Sequence, residues 1–210
     1  MTPEVIDDII VQPISVYPYV VFISNIDFDN ESQRSAHEEM VNAYNVATKE
    51  NWFQHNKNWA GRIRLSDPTF SRSILNEVPS DNFINYLTKC LQLYSIMIGY
   101  KDFENFILVD SWLTSSNKNE YSHAHAHGIS HISGVYYVKT NGKDGNFYFQ
   151  NPLRELESNP FFQHLTRNLI QKPEEGKLMM FPSSMLHGVE MNTTDNERVS
   201  LSFNIRIPLK

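Results

Sequence analysis

The 210 residues carry 18 basic and 24 acidic side chains, a formal charge of −6, with 40% hydrophobic and 20% charged residues. That balance describes a folded chain that buries a core without covalent staples. It lacks the basic excess that phosphate neutralisation requires, so no nucleic-acid partner is expected. Apolar runs such as Val20-Val21-Phe22-Ile23 are too short to cross a bilayer, and no membrane partner is expected. The acidic start Met1-Thr2-Pro3-Glu4 argues against a signal or transit peptide. With Cys90 as the single cysteine, no internal disulfide forms, and a cytoplasmic location is expected.

The β-branched and aromatic run Val16–Ile26 predicts an early strand. The polar segment Asp29–Glu50 permits a helix, with Asp29 or Asn30 as cap and acidic residues near its start. Trp52–Pro79 reads as loop, followed by a helix capped by Ser80 or Asp81. Phe83, Ile84, Leu87, Cys90, Leu91, Tyr94, Met97 and Ile98 repeat at helical spacing and give that helix one apolar face. Cys90 on this face is a core residue. Beyond Tyr100 the chain turns β-rich. Phe106–Leu113, Ile132–Lys139, Asn146–Gln150, Leu178–Phe181, Gly188–Met191 and Arg198–Ile207 are short runs between turn signals. Asn141-Gly142-Lys143-Asp144-Gly145 reads as a hairpin connection, and Asn151–Pro173 as a polar insertion with a short helix near Phe161–Ile170. The expected fold is mainly β with a helical N-terminal part (α+β), its strands forming a jelly roll. A single domain 1–210 is expected, with residues 1–100 as helix-rich support and 101–210 as the β core, interrupted by an insertion at about 151–173.

Four of the eight histidines, His123, His125, His127 and His131, fall within nine residues just before the strand Ile132–Val138. In extended chain His123, His125 and His127 share a face, adjacent members about 6–7 Å apart. Two neighbours at that spacing can bind one metal, and His125 belongs to either pair. Imidazole suits iron, zinc, copper and nickel alike, so the run by itself names no metal. Downstream, His187 closes Phe181-Pro182-Ser183-Ser184-Met185-Leu186-His187, and Arg198 opens the last strand as Arg198-Val199-Ser200. Alone, His187 reads equally as a structural histidine and Arg198 as a rim ion-pair partner. The ordered set points to chemistry.

That order, H-x-[DEH], then a distant His, then R-x-S about ten residues on, resembles the iron and 2-oxoglutarate-dependent oxygenases. Their fold is a double-stranded β-helix. The chain most resembles a poorly characterised bacterial and phage branch through Trp112, His125-Ala126-His127, Ser133–Val138, Gly176–His187 and Arg198–Asn204. The resemblance implies a dioxygenase using Fe(II) and 2-oxoglutarate, a hydroxylase coupling oxidative decarboxylation of 2-oxoglutarate to C–H oxidation. It implies His125, His127 and His187 as metal ligands and catalytic residues. His127 stands where most of the superfamily has an aspartate or glutamate, which leaves the set one negative charge short. The pair His123 with His125 stays open. Arg198 matches the residue that grips the distal carboxylate of 2-oxoglutarate, with Ser200 beside it and Tyr137 donating to the same carboxylate.

On β alternation Val199, Leu201, Phe203, Ile205 and Ile207 share one face of the last strand, opposite Arg198, Ser200, Ser202 and Asn204. A cofactor site requires the polar row to face the barrel interior. Two other readings compete: a three-histidine, cupin-like dioxygenase without 2-oxoglutarate, and a catalytically silent metal-binding module. A small molecule or a peptide is the expected substrate class, with Trp52, Trp59 and Tyr121 as candidate pocket residues.

Overall fold

The structure, a computed structural model, describes residues 4–6, 9–11, 19–55, 63–67, 69, 71–153, 158–161, 163 and 167–208. Residues 16–18 of the first expected strand, Trp59, Pro68, and residues 162 and 164–166 of the expected insertion helix lie outside them. Near the N-terminus β1 (Glu4–Ile6) and β2 (Ile9–Val11) pair antiparallel. The strands that follow are β3 (Phe22–Asn25), β4 (Gln54–His55), β5 (Arg64–Leu65) and β6 (Ile107–Ser116). Then come β7 (Ser122–His125), β8 (Ile132–Lys139), β9 (Phe147–Phe149) and β10 (Leu169–Gln171). The last are β11 (Lys177–Pro182), β12 (His187–Val189) and β13 (Arg198–Arg206). The helices are α1 (Glu31–Lys49), α2 (Ile74–Glu77) and α3 (Asp81–Met97).

A seven-stranded sheet runs β3-β11-β8-β13-β6-β5-β4, and a four-stranded sheet runs β10-β9-β12-β7. From β6 to β9 the chain alternates between the two, and β11, β12 and β13 alternate again, as expected of a double-stranded β-helix. The first hundred residues supply both helices that cover the large sheet and three of its strands, β3, β4 and β5.

Alternation along the strands divides the interior into two cores. Tyr136 and Val138 of β8, Leu178 and Met180 of β11, and Val199, Leu201, Phe203 and Ile205 of β13 pack with Met40, Phe83, Leu87 and Leu91 of the helices. The intervening residues Val135 and Tyr137, with Met179 and Phe181, face inward and meet Phe147 and Phe149 of the small sheet. Full burial of such side chains contributes roughly 1.5–3 kcal/mol each. Cys90 sits in the helix-side core as expected, and burial pushes its thiol up, away from the reactive range. Gly134 lies opposite Phe203, whose ring occupies the space a Cβ would take.

Several expectations change. The run 141–145 is not a hairpin: β8 pairs with β11 and β13, whereas β9 pairs with β10 and β12, so this turn carries the chain from one sheet to the other. Leu169 and Ile170 belong to a strand, because β10 finds open backbone partners along β9. The Trp52–Pro79 segment contains β4, β5 and α2. Asn30 caps α1 as read, its Oδ1 accepting from the Gln33 N–H at 3.1 Å. Ser80 occupies the cap position of α3 but its hydroxyl donates to the Val78 carbonyl. The capping anion is Glu39 of α1, which accepts from the backbone N–H groups of Asn82 (3.1 Å) and Phe83 (2.8 Å). Among the described residues no helix is long and apolar enough to cross a membrane.

Removing this inter-helix cap tests what holds α3 in place. Glu39→Ala should cost about 1–2 kcal/mol, the usual worth of an N-cap, read as a lower urea midpoint. An unchanged midpoint would show that α3 is held by its apolar face alone.

Candidate active site

His125 ends β7 and His187 begins β12, and the two are direct cross-strand partners in the small sheet. Their ring centroids are 4.5 Å apart. His127 lies two residues past the end of β7, where its backbone N–H donates to the Ser183 carbonyl. That turn brings its ring within 5.1 Å of His125 and 5.2 Å of His187, centroid to centroid. One nitrogen from each of the three rings falls within 4.8 Å of the others, a spacing that a single metal ion can bridge. His123 is not part of this group. Its exposed ring stands edge-on to Tyr121, because the strand ends before the alternation can carry all three histidines to one point. His131 is occupied elsewhere, its Nδ1 accepting from the Ile207 N–H.

The carbonyls of His123 and Met185 accept hydrogen bonds from Nδ1 of His125 and His187, 2.8 Å each. A carbonyl only accepts, so each Nδ1 carries the proton and each Nε2 keeps its lone pair for a metal. Burial lowers all three imidazoles. His187 falls to about 3 and His127 to about 4, with repulsion from neighbouring rings adding to the effect. At neutral pH the group therefore consists of three uncharged imidazoles. That set fits Fe(II), and it contains no carboxylate.

The cavity beside the histidines is lined by Tyr137, Arg198, Ser200, Ser202 and Asn204. The polar row of β13 thus faces the barrel interior, as a cofactor site requires. Arg198 is 2% exposed and Tyr137 1% exposed. Nη1 of Arg198 donates to the carbonyls of Asp144 and Gly145, 2.9 Å each. Gly145 has φ +100°, and a Cβ there would collide with the Glu190 carbonyl and crowd the guanidinium. The turn that resembles a hairpin in sequence therefore serves to clamp one arm of Arg198. The Tyr137 hydroxyl is buried with no hydrogen-bond partner among the described residues, and burial pushes it up to about 12, so it stays a donor. A buried orphan donor beside a buried cation is the arrangement that an incoming carboxylate satisfies.

Trp52 packs against the helix-side core with Arg72 over its ring, and Tyr121 sits against His123, so neither lines this cavity. Trp112, Ile63 and Thr114 do. Trp112 lies against His127 with centroids 5.8 Å apart. Asn204 joins His127, Ser133 and Asp110, and of these three Asp110 is not among the residues singled out from sequence. Strand alternation puts Asn204 on the face of Arg198, but nothing local in the sequence pairs it with Asp110.

Residues 110–204 match the family described as "Putative 2OG-Fe(II) oxygenase". No curated protein sequence matches the chain. Solved structures with the same fold include a prolyl-4-hydroxylase of Pseudomonas putida, with 11% identity and TM-score 0.59 over 90% of this chain and 94% of that one. The viral collagen prolyl hydroxylase of Paramecium bursaria Chlorella virus-1, in its 2-oxoglutarate complex, is similar at 14% identity and TM-score 0.52 over 89% and 97%. HygX of Streptomyces hygroscopicus, with nickel, 2-oxoglutarate and hygromycin B bound, gives 12% and 0.54 over 90% and 83%. Through the family matched over 110–204, and with the double-stranded β-helix fold to accompany it, the chain resembles the iron and 2-oxoglutarate-dependent oxygenases. It is an enzyme of that class, and its cofactors are Fe(II) and 2-oxoglutarate.

A divalent ion held across β7 and β12 stabilises the native state by mass action. Saturating Mn(II), a redox-inert stand-in, should raise the melting temperature of wild type and of His123→Ala but not of His187→Ala. No shift in wild type would contradict a metal site at these rings.

Proposed function

We propose that the protein is a hydroxylase in which His125, His127 and His187 hold Fe(II), while Arg198, Tyr137 and Ser200 hold 2-oxoglutarate. The observation that carries this reading is the orphaned Tyr137 hydroxyl beside buried Arg198, in the same cavity as the three histidines. With both cofactors bound, the site couples oxidative decarboxylation of 2-oxoglutarate, to succinate and carbon dioxide, to oxidation of a substrate C–H bond by dioxygen.

The chain's own contributions follow from its geometry. Arg198 has one arm fixed on two carbonyls, so its guanidinium meets the distal carboxylate with little reorganisation. Tyr137 donates to the same carboxylate, and Ser200 flanks it along β13. The carbonyls of His123 and Met185 orient two ligand rings. Phe147, Phe181 and Val135 give the inner wall an apolar surface that excludes water from the reacting groups. Trp112 lines the cavity beside His127, with Ile63 packed against it, which makes this pair the substrate-facing wall. The substrate is a small molecule or a peptide, as suggested by similar oxygenases solved with hygromycin B and with a peptide fragment bound. Cytoplasmic location agrees with a single buried thiol, Cys90.

The donor set itself favours one other reading, a three-histidine dioxygenase that needs no 2-oxoglutarate. Arg198 separates the two. Arg198→Lys keeps the charge and loses the fork, so 2-oxoglutarate affinity should fall roughly ten- to a hundredfold by calorimetric titration, with iron content unchanged. Affinity unchanged from wild type in both Arg198→Lys and Arg198→Ala would remove the 2-oxoglutarate role and favour the three-histidine alternative.

A further inference from the structure

The three histidines are not presented alike. We infer that Asp110 and Asn204 are positioning residues for His127, and that the arrangement they enforce turns an N–H, rather than a lone pair, toward the metal position. The inference rests on the reading of His127 as a ligand and deepens it.

Asn204 of β13 and Asp110 of β6 are cross-strand partners. The Ser133 hydroxyl donates to Asn204 Oδ1 at 2.7 Å, and Asn204 Nδ2 donates to Asp110 Oδ1 at 2.7 Å. The same Nδ2 lies 3.3 Å from His127 Nδ1. The nitrogen end of the Asn204 amide is thus the one turned to both Asp110 and His127, while its oxygen end is held by the Ser133 hydroxyl. The second N–H of Asn204 is then directed at His127 Nδ1, which must accept. In a neutral imidazole with Nδ1 accepting, the proton sits on Nε2. His125 and His187 are fixed the opposite way by their carbonyl partners.

Binding a metal through Nε2 of His127 therefore requires two linked events. The ring proton moves to Nδ1, and the Asn204 amide turns so that Oδ1 accepts it. The turn sets Oδ1 against the Asp110 carboxylate, two acceptors face to face, and takes Oδ1 from Ser133. Wild type thus binds metal through two prepared histidines and a third whose recruitment is opposed. The same pair of positions contains the remedy. With the two side chains exchanged, a carboxylate at position 204 would accept from Ser133, from an amide at position 110 and from His127 Nδ1–H together. That arrangement fixes the ligating tautomer and places the missing negative charge directly behind the ring.

The test is the double variant Asp110→Asn/Asn204→Asp, which leaves composition and net charge unchanged. Its Mn(II) affinity, measured by calorimetry on protein shown to be folded by circular dichroism, should rise about tenfold or more over wild type. A folded double variant with equal or weaker affinity overturns the inference. A second measurement does not depend on the variant folding. Long-range proton–nitrogen correlation spectra of metal-free wild type should show His127 protonated at Nε2, and His125 and His187 at Nδ1. His127 protonated at Nδ1 overturns the inference. The underlying metal reading fails separately, if neither wild type nor the double variant binds Mn(II).

Discussion

One strand has to satisfy two opposite environments at once. Along β13, Val199, Leu201, Phe203 and Ile205 are fully buried against the helices, while Arg198, Ser200, Ser202 and Asn204 line the cavity on the other face. Because side chains alternate with period two, a slip of one residue against β6 or β8 would drive the arginine into the hydrocarbon core. Burying an unpaired guanidinium there is prohibitively costly, so the site and the fold enforce the same register. The helices α1 and α3 therefore do more than cover a sheet. They supply the apolar face that obliges the polar row to point inward.

On the proposed reading, the metal and co-substrate sites are built by different devices. The histidines depend on pairing in the small sheet, where His125 and His187 are partners, and on the turn that returns His127 to them. The carboxylate cradle depends on the large sheet together with the crossing turn, whose Asp144 and Gly145 carbonyls hold Arg198. The positive φ of Gly145 lets that turn pass close to both the guanidinium and the Glu190 carbonyl. Asn204 is where the two systems meet, since it belongs to the strand of Arg198 yet touches His127. A ligand set without a carboxylate thus comes with a carboxylate at one remove, Asp110, whose acidity burial weakens and whose charge Asn204 partly satisfies.

Much of this was legible in the sequence wherever periodicity and order carry the information. The apolar face of α3, the limits of β8 and the division of β13 into an apolar and a polar row follow from spacing alone, whereas the inward direction of the polar row does not. The assembly of His125 and His187 follows from their order before Arg198. What failed was reading that depends on partners distant in the chain. The Asn-Gly-rich turn at 141–145 looks like a hairpin because turn chemistry is local, whereas the choice of sheet for the next strand is not. Ser80 looks like a cap until Glu39, more than forty residues earlier, is seen to take the role. His123 looks like a ligand in an ideal strand, but β7 ends at His125 and the chain turns. Asp110 gave no signal at all, because its meaning depends on the register between β6 and β13.

One ion and one 2-oxoglutarate meeting in a single cavity is the claim on which the rest turns. Its most direct test is an anaerobic titration of the Fe(II)-loaded protein with 2-oxoglutarate, followed in visible absorption. A chelated keto acid on Fe(II) gives a weak charge-transfer band that neither component gives alone. The band is expected to saturate at one 2-oxoglutarate per iron. Stoichiometric iron with no band at any 2-oxoglutarate concentration would contradict the claim.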